Sequence, residues 1–386
     1  MIYKVPGVYV EEPVGLSLSI QTGQTAVPVF AFDQATNWGG ALDSTGNGII
    51  DSNSWHEFMS WLDVVTVRQK LIVNKNNESV GQKFDEATQN DKLFQSLKLY
   101  FLNGGGRCYI APVASLAKLV PQLDDVTLLV QSGSQFAAFD GQVKTLCLTE
   151  KTYFAIYDGP TTELRDTTTV QSEQSHYSPN KHAAVYYPWL TVPGVSAAMP
   201  PSGAVAGVYA RVDRERGVWK APANAEIIGG APMFQVSDGV EAECNGPESG
   251  LSINVIRAFR GMGPLIWGAR TLQSDHDEWR YVPVRRLFSA VEKDIKVAMR
   301  PAVFEPNSAP TWERVRGAIA NYVHGLWQQG ALQGDTPAQA YFVHIGPGIT
   351  MTQDDVMHGR MIVKVGLAAV RPAEFIILQV TQHGTH

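Results

Sequence analysis

The chain has 386 residues, 44% of them hydrophobic and 18% charged, an ordinary globular composition with enough apolar side chain for a core spread over about two or three domains. A formal charge of −6 argues against a protein that binds nucleic acid by neutralising phosphates. Three widely spaced cysteines, Cys108, Cys147 and Cys244, suggest neither a disulfide framework nor a zinc site, and the expectation is a protein of a reducing cytosol, without a classical signal peptide or a membrane span.

Residues 5–12, VPGVYVEE, have strand propensity at Val8, Tyr9 and Val10, yet Pro13 and Gly15 end the run and no turn brings a second strand back. A terminal strand without a local partner is either unordered or paired elsewhere. Leu16, Leu18 and Ile20 alternate with polar residues in a second extended segment, and AVPVFAF at 26–32 reads as a buried strand. Residues 37–53 form a Gly-, Asn- and Asp-rich loop. Ser54 and Glu57 then have capping-box spacing, which predicts a short helix with Trp55, Phe58, Met59 and Leu62 on its apolar face.

A longer helix is expected over 85–103, stopped at Asn103-Gly104, and a strand over 107–113. The amphipathic run 114–120, the strand FAIYD and the buried run AAVYYPWL continue an alternation typical of an α/β layer. From Val284 two helices are predicted, one through Leu287, Phe288, Val291 and Ile295 and one through Trp312, Val315, Ile319, Tyr322, Val323 and Leu326. YFVHI, a short helix capped by Thr352, and MIVKVGLAAV follow. After Arg371-Pro372 the chain carries another lone strand, EFIILQV.

No catalytic, cofactor or metal set emerges. Gly104-Gly105-Gly106 is followed by Arg107-Cys108 and not by Lys-Ser/Thr, so a helix stop is preferred to a phosphate loop. GMGPLIWG at 261–268 lacks dinucleotide spacing. SDHDEW at 274–279 gathers His276 with three acids, but neighbours on one loop seldom converge on an ion, and partners for Arg280, Arg285 and Arg286 are the preferred reading. His344 and His358 are read as structural. The alternating charges of 211–224 suggest a salt-bridged protein–protein surface.

PGVYVEE, NGGGRCYI, AGVYARVDRERGVWKAPAN, NVIRAFRGMGPLIWGARTL, EWRYVPVRRLF, VFEPN, GALQGDTPAQAYFV and RPAEFIILQV resemble, in order along the whole chain, the contractile tail sheath proteins of phages and related extracellular contractile injection systems. The resemblance implies a multi-domain α/β (mixed α+β) sheath fold. Its parts are an N-terminal arm (1–24), an outer inserted α/β domain (25–272), an inner domain facing the tube (273–372) and a C-terminal arm (373–386). The small sheet of the inner domain would be completed by neighbours' arms, joined through Val8, Tyr9, Val10, Leu16 and Leu18 at one end and Phe375, Ile376, Ile377 and Leu378 at the other. It implies candidate tube contacts at Arg285, Arg286, Lys293, Lys296, Arg314 and Arg316. The implied partners are further copies in stacked hexameric rings, an inner tube protein, and baseplate and cap or terminator proteins, with no cofactor, no nucleic acid and no membrane insertion. Assembly in the bacterial cytoplasm and release within a phage tail or injection particle follow from the same resemblance. A capping or baseplate-proximal paralogue of the sheath and an α/β enzyme are the rival classes.

Overall fold

The structure is a computed structural model that describes residues 18–33, 54–76, 86–149, 152–247 and 249–374. Its strands are β1 Pro28–Phe32, β2 His56–Phe58, β3 Cys108–Pro112, β4 Leu128–Val130, β5 Phe154–Asp158, β6 Ala183–Tyr187, β7 Leu190–Thr191, β8 Ala225–Glu226, β9 Ala231–Pro232, β10 Ile253–Ala258, β11 Pro264–Ile266, β12 Tyr341–Ile345 and β13 Val363–Leu367. Its helices are α1 Trp61–Asn76, α2 Glu86–Gln89, α3 Lys92–Leu102, α4 Leu116–Leu119, α5 Phe136–Thr149, α6 Thr167–Gln174, α7 Ser202–Arg216, α8 Asp238–Asn245, α9 Val282–Ala298, α10 Ala309–Gln328, α11 Pro337–Ala340 and α12 Gln353–Met357.

Two compact units divide the chain, one made of Gln24–Ala290 with the segment from Val370, the other of Val291–Ala369 with the residues up to Gly23. The first is built on a nine-stranded sheet ordered β2-β3-β1-β4-β5-β6-β10-β11-β8. Strands β3, β1, β4, β5, β6 and β10 are parallel, and antiparallel β2 and the β11–β8 pair close the two edges. Parallel strands covered on both faces must be apolar on both, and PVFAF, FAIYD and AAVYY are buried at every position. Phe30, Leu97, Tyr100, Val205 and Tyr209 pack one face; Val29, Leu116, Phe139, Val143, Val170 and Val240 pack the other.

Helices α3 and α7 approach so closely that only glycine fits between them. A Cβ on Gly203 would lie 2.5 Å from the Ser96 carbonyl oxygen, and one on Gly207 2.4 Å from that of Tyr100. Gly104, at φ +101°, ends α3 as expected of a helix stop.

In the second unit α10 presents Val315, Ile319, Tyr322, Val323 and Leu326 as a buried stripe, and β12 packs against this helix. β12 pairs antiparallel with β13, from Tyr341 opposite Leu367 to Ile345 opposite Val363.

Three expectations change. Residues 56–58 form an edge strand and not a helix, because Glu57 pairs with Arg107 on the neighbouring strand side and Phe58 is fully buried. The helix starts later, with Ser60 and Asp63 capping each other: Ser60 Oγ accepts from Asp63 N and Asp63 Oδ2 from Ser60 N at 2.9 Å. The helix expected over 85–103 is two, since Asp91, in extended geometry, accepts from Phe94 N and caps α3 afresh. Finally, where the resemblance put a boundary at 272/273, the compact units divide inside α9. Residues 273–290 stay with the first unit because Thr271 N bonds to Arg280 O, and Val282 N to Ala269 O, each at 2.9 Å.

Candidate assembly sites

Two kinds of place have the chemistry of assembly: the small sheet of the second unit, and the points where the chain leads to its ends. Along β12 and β13 no third strand pairs among the described residues; one bridge, Leu332 to Ala369, lies past the end of β13. Tyr341, Val343 and Ile345 turn inward, while Phe342 and His344 stand exposed with their rings stacked at 4.6 Å. Gly366 sits opposite Phe342, whose ring occupies the space a side chain there would need. Beside β12 an open cavity of about 400 Å³ is lined by Gly317 and Ala320 of α10, Pro337 and Ala338 of α11 and Phe342, with Glu313 and Arg316 at hand. Backbone groups on an unpaired strand edge next to small residues form a place where an extended segment can lie.

At the N-terminal side, the described chain begins at residue 18 and runs without regular structure to β1. In the second unit Gly23 N donates to Asp294 Oδ1 at 3.1 Å, and Asp294 accepts from the Tyr322 hydroxyl at 2.7 Å. Burial holds the Asp294 carboxyl above the usual range even though these two donors act in the opposite direction. In the first unit Thr25 is held by a desolvated ion pair. Arg286 meets Asp213 at 2.6 Å, the two side chains being 3% and 5% exposed, and donates to Thr25 O at 3.0 Å, while the Thr25 hydroxyl donates to Asp213 at 2.5 Å. The guanidinium lies over the Tyr209 ring, 4.5 Å from its centre.

At the C-terminal side Glu374 accepts from Arg270 Nη2 at 2.5 Å and from the Tyr281 hydroxyl at 3.1 Å. Ala373 is exposed beside it.

This geometry corrects part of the expected tube-facing set. Arg285 and Arg286 are each 3% exposed, the first lying over Trp279 at 4.4 Å and the second held by Asp213, so neither head group is offered to a partner. Lys293 is half-buried, and Lys296, Arg314 and Arg316 are exposed, with Arg316 paired to Glu313 one turn away. Of the arm residues, Val8, Tyr9, Val10, Leu16, Phe375, Ile376, Ile377 and Leu378 lie outside the described residues, and Leu18 is half-buried in chain without regular structure. The alternating charges after Arg211 do several jobs: Asp213 turns inward, while Arg211 and Arg214 donate to the carbonyls of Glu226 and Gly104. Asp277 pairs with Arg280 at 2.7 Å, as expected of a solvated loop. His344 is exposed, against the expectation of a hydrogen-bonded structural histidine, whereas His358 Nδ1 lies 2.8 Å from Asp354 O.

The residues that hold the chain near its two ends, Thr25, Arg270, Asp294 and Glu374, carry no periodicity or motif by which the sequence marks them, and Asp213 was marked only as part of an alternating-charge surface. The bonds that hold Gly23, Thr25 and Glu374 reach across 93 to 271 positions of the chain.

Burial raises the thiols of Cys147 and Cys244 to about 12 and that of Cys108 upward as well, which leaves them protonated and poorly nucleophilic. Among the described residues no group of three His, Cys, Asp or Glu is placed to hold a metal, and no helix is long and apolar enough to cross a membrane.

The profile of the phage tail sheath C-terminal domain family matches residues 274–383. The sheath of an extracellular contractile injection system, the PVC sheath complex in its contracted state, is 48% identical, with 99% of each chain covered and a TM-score of 0.83. The helical sheath of the anti-feeding prophage in its contracted state is 39% identical, covering 99% of this chain and all of that one, with a TM-score of 0.78. A prophage major tail sheath protein of Pseudomonas aeruginosa (strain UCBPP-PA14) is 28% identical over 147 residues, so this chain matches 37% of that relative's length.

Proposed function

Since this chain belongs to the contractile tail sheath proteins and is a structural subunit of a contractile sheath, we propose that it polymerises as hexameric rings stacked helically around an inner tube and shortens to drive that tube through a target envelope. Full-length identity of 48% to an injection-system sheath, against 28% over a partial match to a prophage protein, favours an extracellular injection particle over a phage tail.

The observation that carries the proposal is the two-stranded β12–β13 sheet. Two strands alone are marginal in water, and three or more, or packing against a helix, are needed for a stable sheet. Here α10 supplies one face, and strand-forming arms from two neighbours complete the edges by β-augmentation. Backbone hydrogen bonds make the joint and alternate side chains set its register. The stored energy lies in packing between subunits, so the stroke needs no nucleotide. Lys296, Arg314 and Arg316, exposed at the surface, and the half-buried Lys293 are the candidates for weak contacts with acidic groups of the tube. Exposed pairs of this kind contribute about 0–1 kcal/mol each, which suits a grip that must be released.

Deleting residues 1–12, or residues 375–386, leaves a folded monomer that forms no tubes in negative-stain micrographs. Normal tubes from either truncation overturn the arm mechanism, and single rings from the full-length protein favour a cap.

A further inference from the structure

At the C-terminal limit of the described residues one side chain is held by several partners. Glu374 is the last described residue, and no regular element joins it to β13. Its carboxylate nevertheless takes Arg270 bidentately, from Nε at 3.1 Å and Nη2 at 2.5 Å, and takes the Tyr281 hydroxyl at 3.1 Å. The side chains of the pair are only 10% and 16% exposed. Arg270 is itself fixed at both ends. Its main-chain N–H donates to Asn254 Oδ1 at 2.7 Å, its carbonyl accepts from Asn254 Nδ2 at 2.8 Å, and its Nη1 donates to Asn245 O at 2.8 Å. Asn254 belongs to β10, inside the nine-stranded sheet, and is 1% exposed. A continuous run of hydrogen bonds therefore links Glu374 to a buried strand of the nine-stranded sheet.

We propose that Arg270 and Tyr281, with Glu374, form a load-bearing anchor that fixes where the free arm begins, so that displacement of the body pulls on the arm from residue 375 onward without slack. This rests on the arm reading given above. A surface ion pair would serve poorly, being loose and salt-sensitive, whereas a charge-assisted bidentate pair shielded from water holds one geometry. Without the anchor the segment from Val370 to Glu374 joins the free arm, and each released residue adds up to about 3.3–3.6 Å of reach. A slack arm can still pair with its neighbour, but it does not transmit a short displacement.

Glu374→Ala in the full-length chain tests this beside deletion of 375–386. The expected result is faster hydrogen exchange at residues 370–374 of the monomer, normal assembly on tubes, and sheaths that stay extended when challenged with a step of guanidinium that contracts the parent. Glu374→Gln, which keeps an acceptor for the guanidinium, recovers part of the contraction; a role in stability alone would shift the monomer's melting point without this graded loss of contraction. If the deletion still assembles, the arm reading itself is wrong. If the deletion blocks assembly while Glu374→Ala contracts like the parent, the anchor is overturned and the arm reading stands.

Discussion

Asp213 and Arg286 show how much a charge depends on its company. Buried ion pairs are often replaceable together at little cost, but removing one partner leaves the other desolvated and alone, a loss of about 3–5 kcal/mol. Arg286→Met should therefore lower the unfolding free energy in urea by that order, and the double variant with Asp213→Leu should recover much of it. A loss under about 1 kcal/mol in the single variant would mean that the Thr25 hydroxyl suffices for Asp213. Asp158 offers a second case. Its carboxylate, 4% exposed at the end of β5, accepts from Gly133 N at 2.8 Å and from Ser202 N at 2.9 Å, yet burial raises it to about 6. A carboxyl raised above its unfolded value near 3.9 favours folding in its protonated form, so its contribution is present below about pH 4 and is lost as pH rises through about 6. The stability difference between parent and Asp158→Asn should shift in favour of the variant over that window by an amount on the order of 2–3 kcal/mol. A difference that does not vary with pH refutes this.

Among the elements, the α3–α7 crossing is the most constrained. Gly207→Ala puts a methyl 2.4 Å from the Tyr100 carbonyl, a backbone atom that cannot rotate away, and should cost about 1–3 kcal/mol or more by overpacking, measured as a shift in urea midpoint at constant slope. Of the parallel strands β1, β3, β5 and β6 were legible, because burial on both faces requires unbroken apolar runs such as PVFAF and FAIYD, whereas β4 and β10 were not among the strands expected. α10 was legible because its stripe recurs at helical spacing. What misled was local chemistry with two valid uses. Ser54 and Glu57 satisfy a capping box on paper, but Glu57 is taken by Arg107, and the cap is made six residues later by Ser60 and Asp63. Likewise Arg285 and Arg286 look like surface charges on an amphipathic helix. Their partners, Trp279 and Asp213, lie on other segments that no helical period can reveal, which is also why the arm anchors went unseen.

For the whole molecule, the working length of the N-terminal arm becomes a measurable quantity. Gly23 is bonded to Asp294 in one unit and Thr25 to Arg286 and Asp213 in the other, so slack has to be introduced upstream of both. Two or three flexible residues inserted between Ile20 and Gln21 add up to about 3.3–3.6 Å each and should leave strand pairing and assembly intact while blocking propagation of contraction, seen as full-length sheaths that remain extended. An insertion variant that contracts like the parent reduces the arms to assembly staples. The edges of β12 and β13 that no described strand fills carry a further consequence, for counting. A subunit that gives strands in one direction and receives them in the other makes contacts that never close on themselves, so addition of copies has no internal stopping point. Under the arm exchange proposed above, the last ring holds empty sheets. The number of rings must then be dictated from outside the subunit, by the extent of the scaffold it coats and by a different protein that fills those final edges, and a pool of this chain without such a terminator should yield particles of widely scattered length.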